Sequence, residues 1–161
     1  MKNLIIYSTK YGTSKEVSEK LKDKIKGETD IIDLKSNKIA NLNVYENIII
    51  GGSIYAGMIQ KEMTKFINKN LDNLLSKRLF LFICAGSLGN EERDKEQLKG
   101  VFLEDLYNHA TFKSNLGFRI DFNKMNPLER LVIKKLKGVK ENITSISENN
   151  IDAMAQKINN K

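Results

Sequence analysis

One cysteine, one proline, one histidine and no tryptophan stand among 161 residues, and each scarcity excludes something. A lone thiol, Cys84, excludes an internal disulfide framework and suits a reducing compartment. Neither Cys84 nor His109 has a companion at metal-ligand spacing, so no metal site is expected. Long apolar runs are missing as well. None approaches the ~20 residues of a membrane-spanning helix. The run Leu4–Tyr7 that follows Met1-Lys2-Asn3 is too short for the apolar core of a secretory signal. The expectation is a cytoplasmic protein, with peripheral contact at the inner face of a membrane left open. With 40% hydrophobic and 29% charged residues, the composition is that of a folded domain rather than a disordered chain. Residues 1–161 read as a single domain, since no linker, repeat or low-complexity segment divides them.

What is present begins with four short apolar runs: NLIIYS (3–8), DIIDL (30–34), NIIIGG (47–52) and LFLFICA (79–85). A fifth, FKSNLGFRIDF (112–122), is patchier and is taken as one strand. The first, third and fourth are continuously apolar, as parallel strands covered on both faces are. Helical stripes alternate with them. Val17, Leu21 and Ile25 recur every fourth residue before Gly27, and Met63, Phe66, Ile67, Leu71, Leu74 and Leu75 form a second stripe. Leu98, Val101, Phe102 and Leu106 make a third, interrupted by Gly100, and a last helix opens near Ser147. Alternating strands and helices predict an α/β fold, a parallel sheet with helices on both faces. Ligands bind such sheets at the carboxyl ends of the strands.

The loop after the first run, YSTKYGTSK (7–15), carries the chemistry. Its one glycine, Gly12, rules out G-x-G-x-x-G, and G-x-x-x-x-G-K-[ST] occurs nowhere in the chain. The strand ends read Ser8-Thr9 and Gly51-Gly52-Ser53, which lack the carboxylates of a phospho-acceptor site. What remains is a hydroxyl-rich turn opening a helix, whose unpaired N–H groups and partial positive charge suit a phosphate monoester. A helix cap with spare hydroxyls is the plainer alternative.

This loop resembles the phosphate loop of the flavodoxin family. Two further loops, GGSIYAGMIQ (51–60) and CAGSLGNEER (84–93), fall where that resemblance requires them. The resemblance implies a flavodoxin-like three-layer sandwich with a five-stranded parallel sheet in the order 2-1-3-4-5, and FMN as cofactor. It implies a phosphate held by Ser8, Thr9, Thr13 and Ser14 with backbone N–H groups from Lys10, Tyr11 and Gly12 onward. Tyr55 would stack on the flavin, flanked by Ser53, Ile54, Ala56 and Gly57, where Gly57 gives the backbone freedom to turn a peptide toward the ring. Cys84, Ala85, Gly86, Ser87 and Leu88 would meet the pyrimidine end. Cys84 itself ends an apolar strand, which suits an inert thiol, and His109 reads as an exposed residue between helix and strand.

Charge is concentrated in one place. The net charge is +7, and from Phe112 to Lys140 eight basic residues face two acids, Asp121 and Glu129. Within this segment KMNPLERLVIKKLKG (124–138) reads as a short helix with Asn126 as N-cap, Pro127 first and Gly138 after its end. Leu128, Leu131, Val132 and Leu136 share one face. That face could cover the core edge, lie on an anionic membrane surface, or form a lid over a carboxylated substrate.

A basic insertion at about 119–140, together with the stretch Gly51–Gly57, resembles the menaquinone-dependent protoporphyrinogen IX oxidases of the flavodoxin-like proteins. That resemblance implies heme-biosynthetic oxidation of a porphyrinogen with a quinone acceptor. Arg119, Lys124, Arg130, Lys134 and Lys135 would then be the residues toward substrate or membrane. The alternative is a flavodoxin-type electron carrier whose basic surface docks acidic protein redox partners. Aromatics do not interleave with the charges, so a nucleic-acid partner is not expected. No side chain stands out as an acid–base catalyst; in either reading the flavin carries the redox chemistry.

Overall fold

The computed structural model describes residues 1–36 and 41–160, except for the side chains of Leu136 and Lys137, so those two expectations on the basic helix lie outside the described residues. The apolar runs become β1 (Lys2–Ser8), β2 (Glu28–Asp33), β3 (Asn47–Ser53), β4 (Arg78–Cys84) and β5 (Phe112–Asn115). They pair in parallel as one five-stranded sheet in the order β2-β1-β3-β4-β5. Between them run α1 (Thr13–Lys24), α2 (Lys61–Leu75), α3 (Glu91–Val101) and α4 (Glu104–His109), and α6 (Glu148–Asn159) closes the chain.

Alternation along the strands feeds two cores. Leu4, Ile6, Ile48, Ile50, Leu79 and Leu81 face α2, α3 and α4 through Met63, Ile67, Leu98 and Leu106. Ile5, Tyr7, Ile49, Phe80 and Phe82 face α1 and α6 through Val17, Leu21, Ile151 and Met154. Continuous apolar runs were needed because both faces of the central strands are covered.

Two elements differ from the sequence expectation. The fifth run is two strands: after β5, Leu116 still donates to the Ile83 carbonyl at 2.9 Å, and the chain then leaves the sheet. From Gly117 to Ile120 it forms β6, which pairs antiparallel with β7 (Ile143–Ile146) in a separate ribbon. Gly117 permits the departure. Its φ is +141°, and a Cβ there would lie 2.6 Å from the Ser145 carbonyl oxygen. The third helical stripe is likewise two helices, separated where Phe102 and Leu103 turn to extended backbone.

The basic helix, whose placement the sequence left open, is α5 (Pro127–Lys137). It is capped as expected: the Asn126 side chain accepts from the Glu129 N–H, and the Glu129 carboxylate accepts from the Asn126 N–H. The described residues of its apolar face do not cover the core edge. Leu128, Leu131 and Val132 are 70%, 61% and 42% exposed. Glu129, Arg130 and Ile133, on the other side, are half-buried.

Candidate functional site

The strand order reverses direction between β1 and β3, and the loops leaving these strands and β4 meet at their carboxyl ends. This is the switch point where parallel sheets hold ligands. The first loop turns at Gly12, whose φ of +94° sets it as the residue before α1. No side chain caps α1, so its first-turn N–H groups keep their partial positive charge for a ligand. Thr9 Oγ1 accepts from the Gly12 N–H at 2.9 Å, which folds the turn onto itself.

The other hydroxyls split in role. Ser14, fully buried, shares a 2.8 Å hydrogen bond with the Ser53 hydroxyl of the second loop. Ser8 donates to Gln60 Oε1 at 2.9 Å, and Gln60 Nε2 donates to the Ser53 carbonyl at 2.8 Å. Ser8 and Ser14 therefore bolt β1 and α1 to the loop after β3, and Gln60, which no sequence signal marked, is the bolt's second half. Gly51 and Gly52 make the approach possible. A Cβ at Gly51 would meet the Phe82 ring at 2.3 Å, and one at Gly52 would meet Ser8 Oγ at 2.8 Å.

The second loop presents the aromatic. Tyr55 and Met58 exchange backbone hydrogen bonds of 2.9 and 3.1 Å around a tight turn, with Ala56 at φ +50° and Gly57 at φ +76°. Such a turn needs left-handed backbone at both central residues, which Gly57 takes freely and Ala56 takes at a cost. The Tyr55 and Tyr11 rings meet edge to face with centroids 6.4 Å apart. The Lys10 ammonium lies 3.7 Å from the Tyr55 centroid.

The third loop is braced from below. Ile54 N–H donates to the Cys84 carbonyl at 2.9 Å, joining it to the second loop. The buried Asn115 amide donates to the Ala85 carbonyl at 3.0 Å and accepts from the Ala85 N–H at 3.2 Å. It also donates to Asp94 at 2.7 Å. Gly86 is exposed, while Ser87 and Leu88 are half-buried at the rim. Cys84 is buried and its thiol is pushed up to about 12 by burial, which leaves it un-ionised and inert.

α5 reaches this site through a residue that sequence reasoning passed over. Glu129 Oε1 receives Lys10 Nζ at 2.5 Å, and Glu129 Oε2 accepts from the Tyr11 hydroxyl. These bonds to Lys10 and Tyr11 lower the Glu129 carboxyl to about 2. Burial and the adjoining carboxylate raise the Tyr11 phenol to about 12, so it stays a donor. Lys124 Nζ adds a bond to the Tyr11 carbonyl at 3.2 Å.

The other basic candidates are engaged elsewhere. Arg119 pairs with Glu16 at 2.7 Å, Arg130 donates to the Met125 carbonyl at 2.9 Å, and Lys134 sits 5.4 Å from the Phe122 centroid. Lys135 is exposed on the outer side. His109 ends α4, exposed, with its ring Nε2 2.8 Å from the Lys77 carbonyl. Among the described residues no group of three or more His, Cys, Asp or Glu could hold a metal ion, and no helix is long and apolar enough to cross a membrane.

The Flavodoxin domain family matches residues 4–147. No curated protein matches the sequence significantly. Among solved structures, the Streptococcus pneumonia TIGR4 flavodoxin is similar over 98% of this chain and 95% of its own, with 13% identity and a TM-score of 0.56. The flavodiiron protein of Giardia intestinalis is similar over 98% of this chain but 36% of its own, at 14% identity and a TM-score of 0.53. A Fusobacterium nucleatum flavodoxin bound to flavin mononucleotide matches 54% of this chain and 53% of its own, at 18% identity and a TM-score of 0.43.

Proposed function

This chain belongs to the flavodoxin domain family, and on that premise we propose that it binds FMN at the carboxyl ends of β1, β3 and β4 and moves electrons through it. The observation that carries this reading is the uncapped start of α1 behind a turn of hydroxyls, a donor set that suits a phosphate monoester. Thr9, Thr13 and the N–H groups of Lys10, Tyr11, Thr13 and Ser14 would hold the phosphate, with the Gly12 N–H held by Thr9 Oγ1, and Lys124, on the Tyr11 carbonyl, would add positive charge at its mouth. Tyr55 would stack on the ring. The Lys10 ammonium lies on the Tyr55 face while paired with Glu129, and it would have to give up that face to a stacked ring. The loop of Ala85–Leu88, fixed by Asn115, would meet the ring's far end. FMN, once bound, supplies electron acceptance and donation in one- or two-electron steps.

The finer reading is oxidation of a porphyrinogen with a quinone acceptor at a membrane surface. What supports it is α5, whose Leu128, Leu131 and Val132 point outward beside Lys134 and Lys135 while its carboxylate turns inward. The carrier reading, with acidic protein redox partners, draws on the same positive surface. One experiment separates them: FMN-loaded protein, kept anaerobic, is given protoporphyrinogen IX and a menaquinone analogue while porphyrin fluorescence is followed, with flavin-free protein as control. Flavin-dependent, quinone-dependent fluorescence growth is the expected result for the oxidase. Its absence, with FMN bound and reducible, overturns the oxidase and leaves the carrier. A chain that takes up no FMN overturns both.

A further inference from the structure

A groove of about 530 Å³ opens beside the turn after Tyr55, between α2 and the junction of α3 with α4. That volume lies within the range of small-molecule sites, roughly 300–1,000 Å³. Its floor is apolar and buried: Ile59, Ile67 and Phe102 are no more than 8% exposed. Met58 and Leu103 rise from the rim, 67% and 40% exposed. The opposite edge is a rail of four polar side chains on α2, Lys61, Thr64, Lys65 and Asn68.

Three features give the groove a chemical preference. Lys61 and Lys65 are one helical turn apart and so project from the same side of α2. Among the described residues neither makes an ion pair, and no carboxylate lines the groove. Both sit near the N-terminal end of α2, whose dipole adds to their positive potential; Gln60, the residue before it, spends its side chain on Ser8 and Ser53 instead of capping. The third feature is Gly100. A glycine inside a helix is disfavoured relative to alanine. Here the fold does not demand one, because a Cβ at Gly100 meets nothing within 4 Å. What its bare backbone does is keep the α3 wall of the groove open.

We propose that this groove binds a small amphipathic anion, its carboxylate or phosphate head held by Lys61 and Lys65 and its apolar body laid against Met58, Val101 and Leu103. A ligand so placed touches Gly57 and Met58, the turn that carries the aromatic of the neighbouring site. No residue of the phosphate loop lines the groove, so the test uses the full chain without added flavin.

Isotope-labelled protein is titrated with decanoate, and with decan-1-ol as its uncharged counterpart, following amide and methyl shifts. Expected are saturable shifts at Gly57–Ile59, Thr64, Asn68 and Gly100–Leu103. The pair Lys61→Met and Lys65→Met weakens decanoate about tenfold and leaves decan-1-ol unchanged. Gly100→Leu, which enters open space and favours the helix, blocks both ligands while the thermal midpoint holds. Shifts that fail to saturate overturn the proposal, as do shifts confined to the outer face of α5. Equal binding of both ligands whatever stands at positions 61 and 65 also overturns it. So does a dilution-dependent change at the groove in the absence of ligand, which would assign it to a second copy.

Discussion

Glu129 does two jobs with one carboxylate. As the third residue of α5 it closes the capping box with Asn126, and across a sequence gap of more than a hundred residues it holds Lys10 and Tyr11. Because the fold lowers its carboxyl from the ordinary 4.5 to about 2, folding favours the ionised form. The stabilisation is therefore complete above pH 4.5 and is lost as pH falls from there through about 2. Charge-assisted hydrogen bonds of this kind contribute about 1–2 kcal/mol net. Glu129→Gln should cost that amount in denaturant unfolding at pH 7, and the gap from the wild type should close near pH 2. A gap of equal size at both pH values would show that packing, not charge, holds α5 down. A double-mutant cycle with Tyr11→Phe should return a coupling above 0.5 kcal/mol, as expected for residues in direct contact.

At the scale of the element, α5 turns Glu129, Arg130 and Ile133 inward and Leu128, Leu131 and Val132 outward, so its own cap carries much of its stability. Asn126→Ala should cost about 1 kcal/mol. With so little apolar burial behind it, α5 should open by itself: its amides should exchange about fivefold faster while those of β3 and β4 are unchanged. Uniform acceleration throughout the chain would show that α5 unfolds only with the core. The orientation of this helix could not be read from its periodicity, because the same stripe of Leu128, Leu131 and Val132 serves a core or a surface equally well. The central strands were legible because Ile48–Ile50 and Leu79–Ile83 are apolar on both faces, and the three loops because each follows such a run. The break at Gly117 was not, since Leu116 and Phe118 continue the apolar pattern across it. β7 is four residues of half-buried or exposed character, too short and weak to show periodicity. Gln60 and Asn115 escaped because their partners are tens of residues away, and a polar residue's role is then invisible until the chain brings the partner near.

For the whole molecule, six of the eight basic residues between Phe112 and Lys140 and the outward face of α5 lie on the same excursion from the sheet, between β6 and β7. Glu129, the acid within α5, is already matched by Lys10, so the outer surface keeps Lys134 and Lys135 beside its aliphatic side chains. If that face meets an anionic bilayer, as the oxidase reading proposes, each term has its own signature. The basic residues contribute about 1 kcal/mol each and are screened by salt. The aliphatic contribution, about 25 cal/mol per Å² of apolar surface removed from water, is not weakened by salt. The chain should therefore sediment with vesicles rich in phosphatidylglycerol and leave those of phosphatidylcholine alone. Lys134→Glu with Lys135→Glu should weaken that binding at least tenfold and flatten its salt dependence. Leu128→Ser with Leu131→Ser should weaken it comparably and keep the salt slope. Since these side chains are exposed, neither pair should move the thermal midpoint by more than a degree or two. Vesicle binding that ignores both substitutions would place the contact elsewhere on the surface. No binding at all, alongside salt-sensitive capture of an acidic redox protein, would assign the face to electron exchange between proteins.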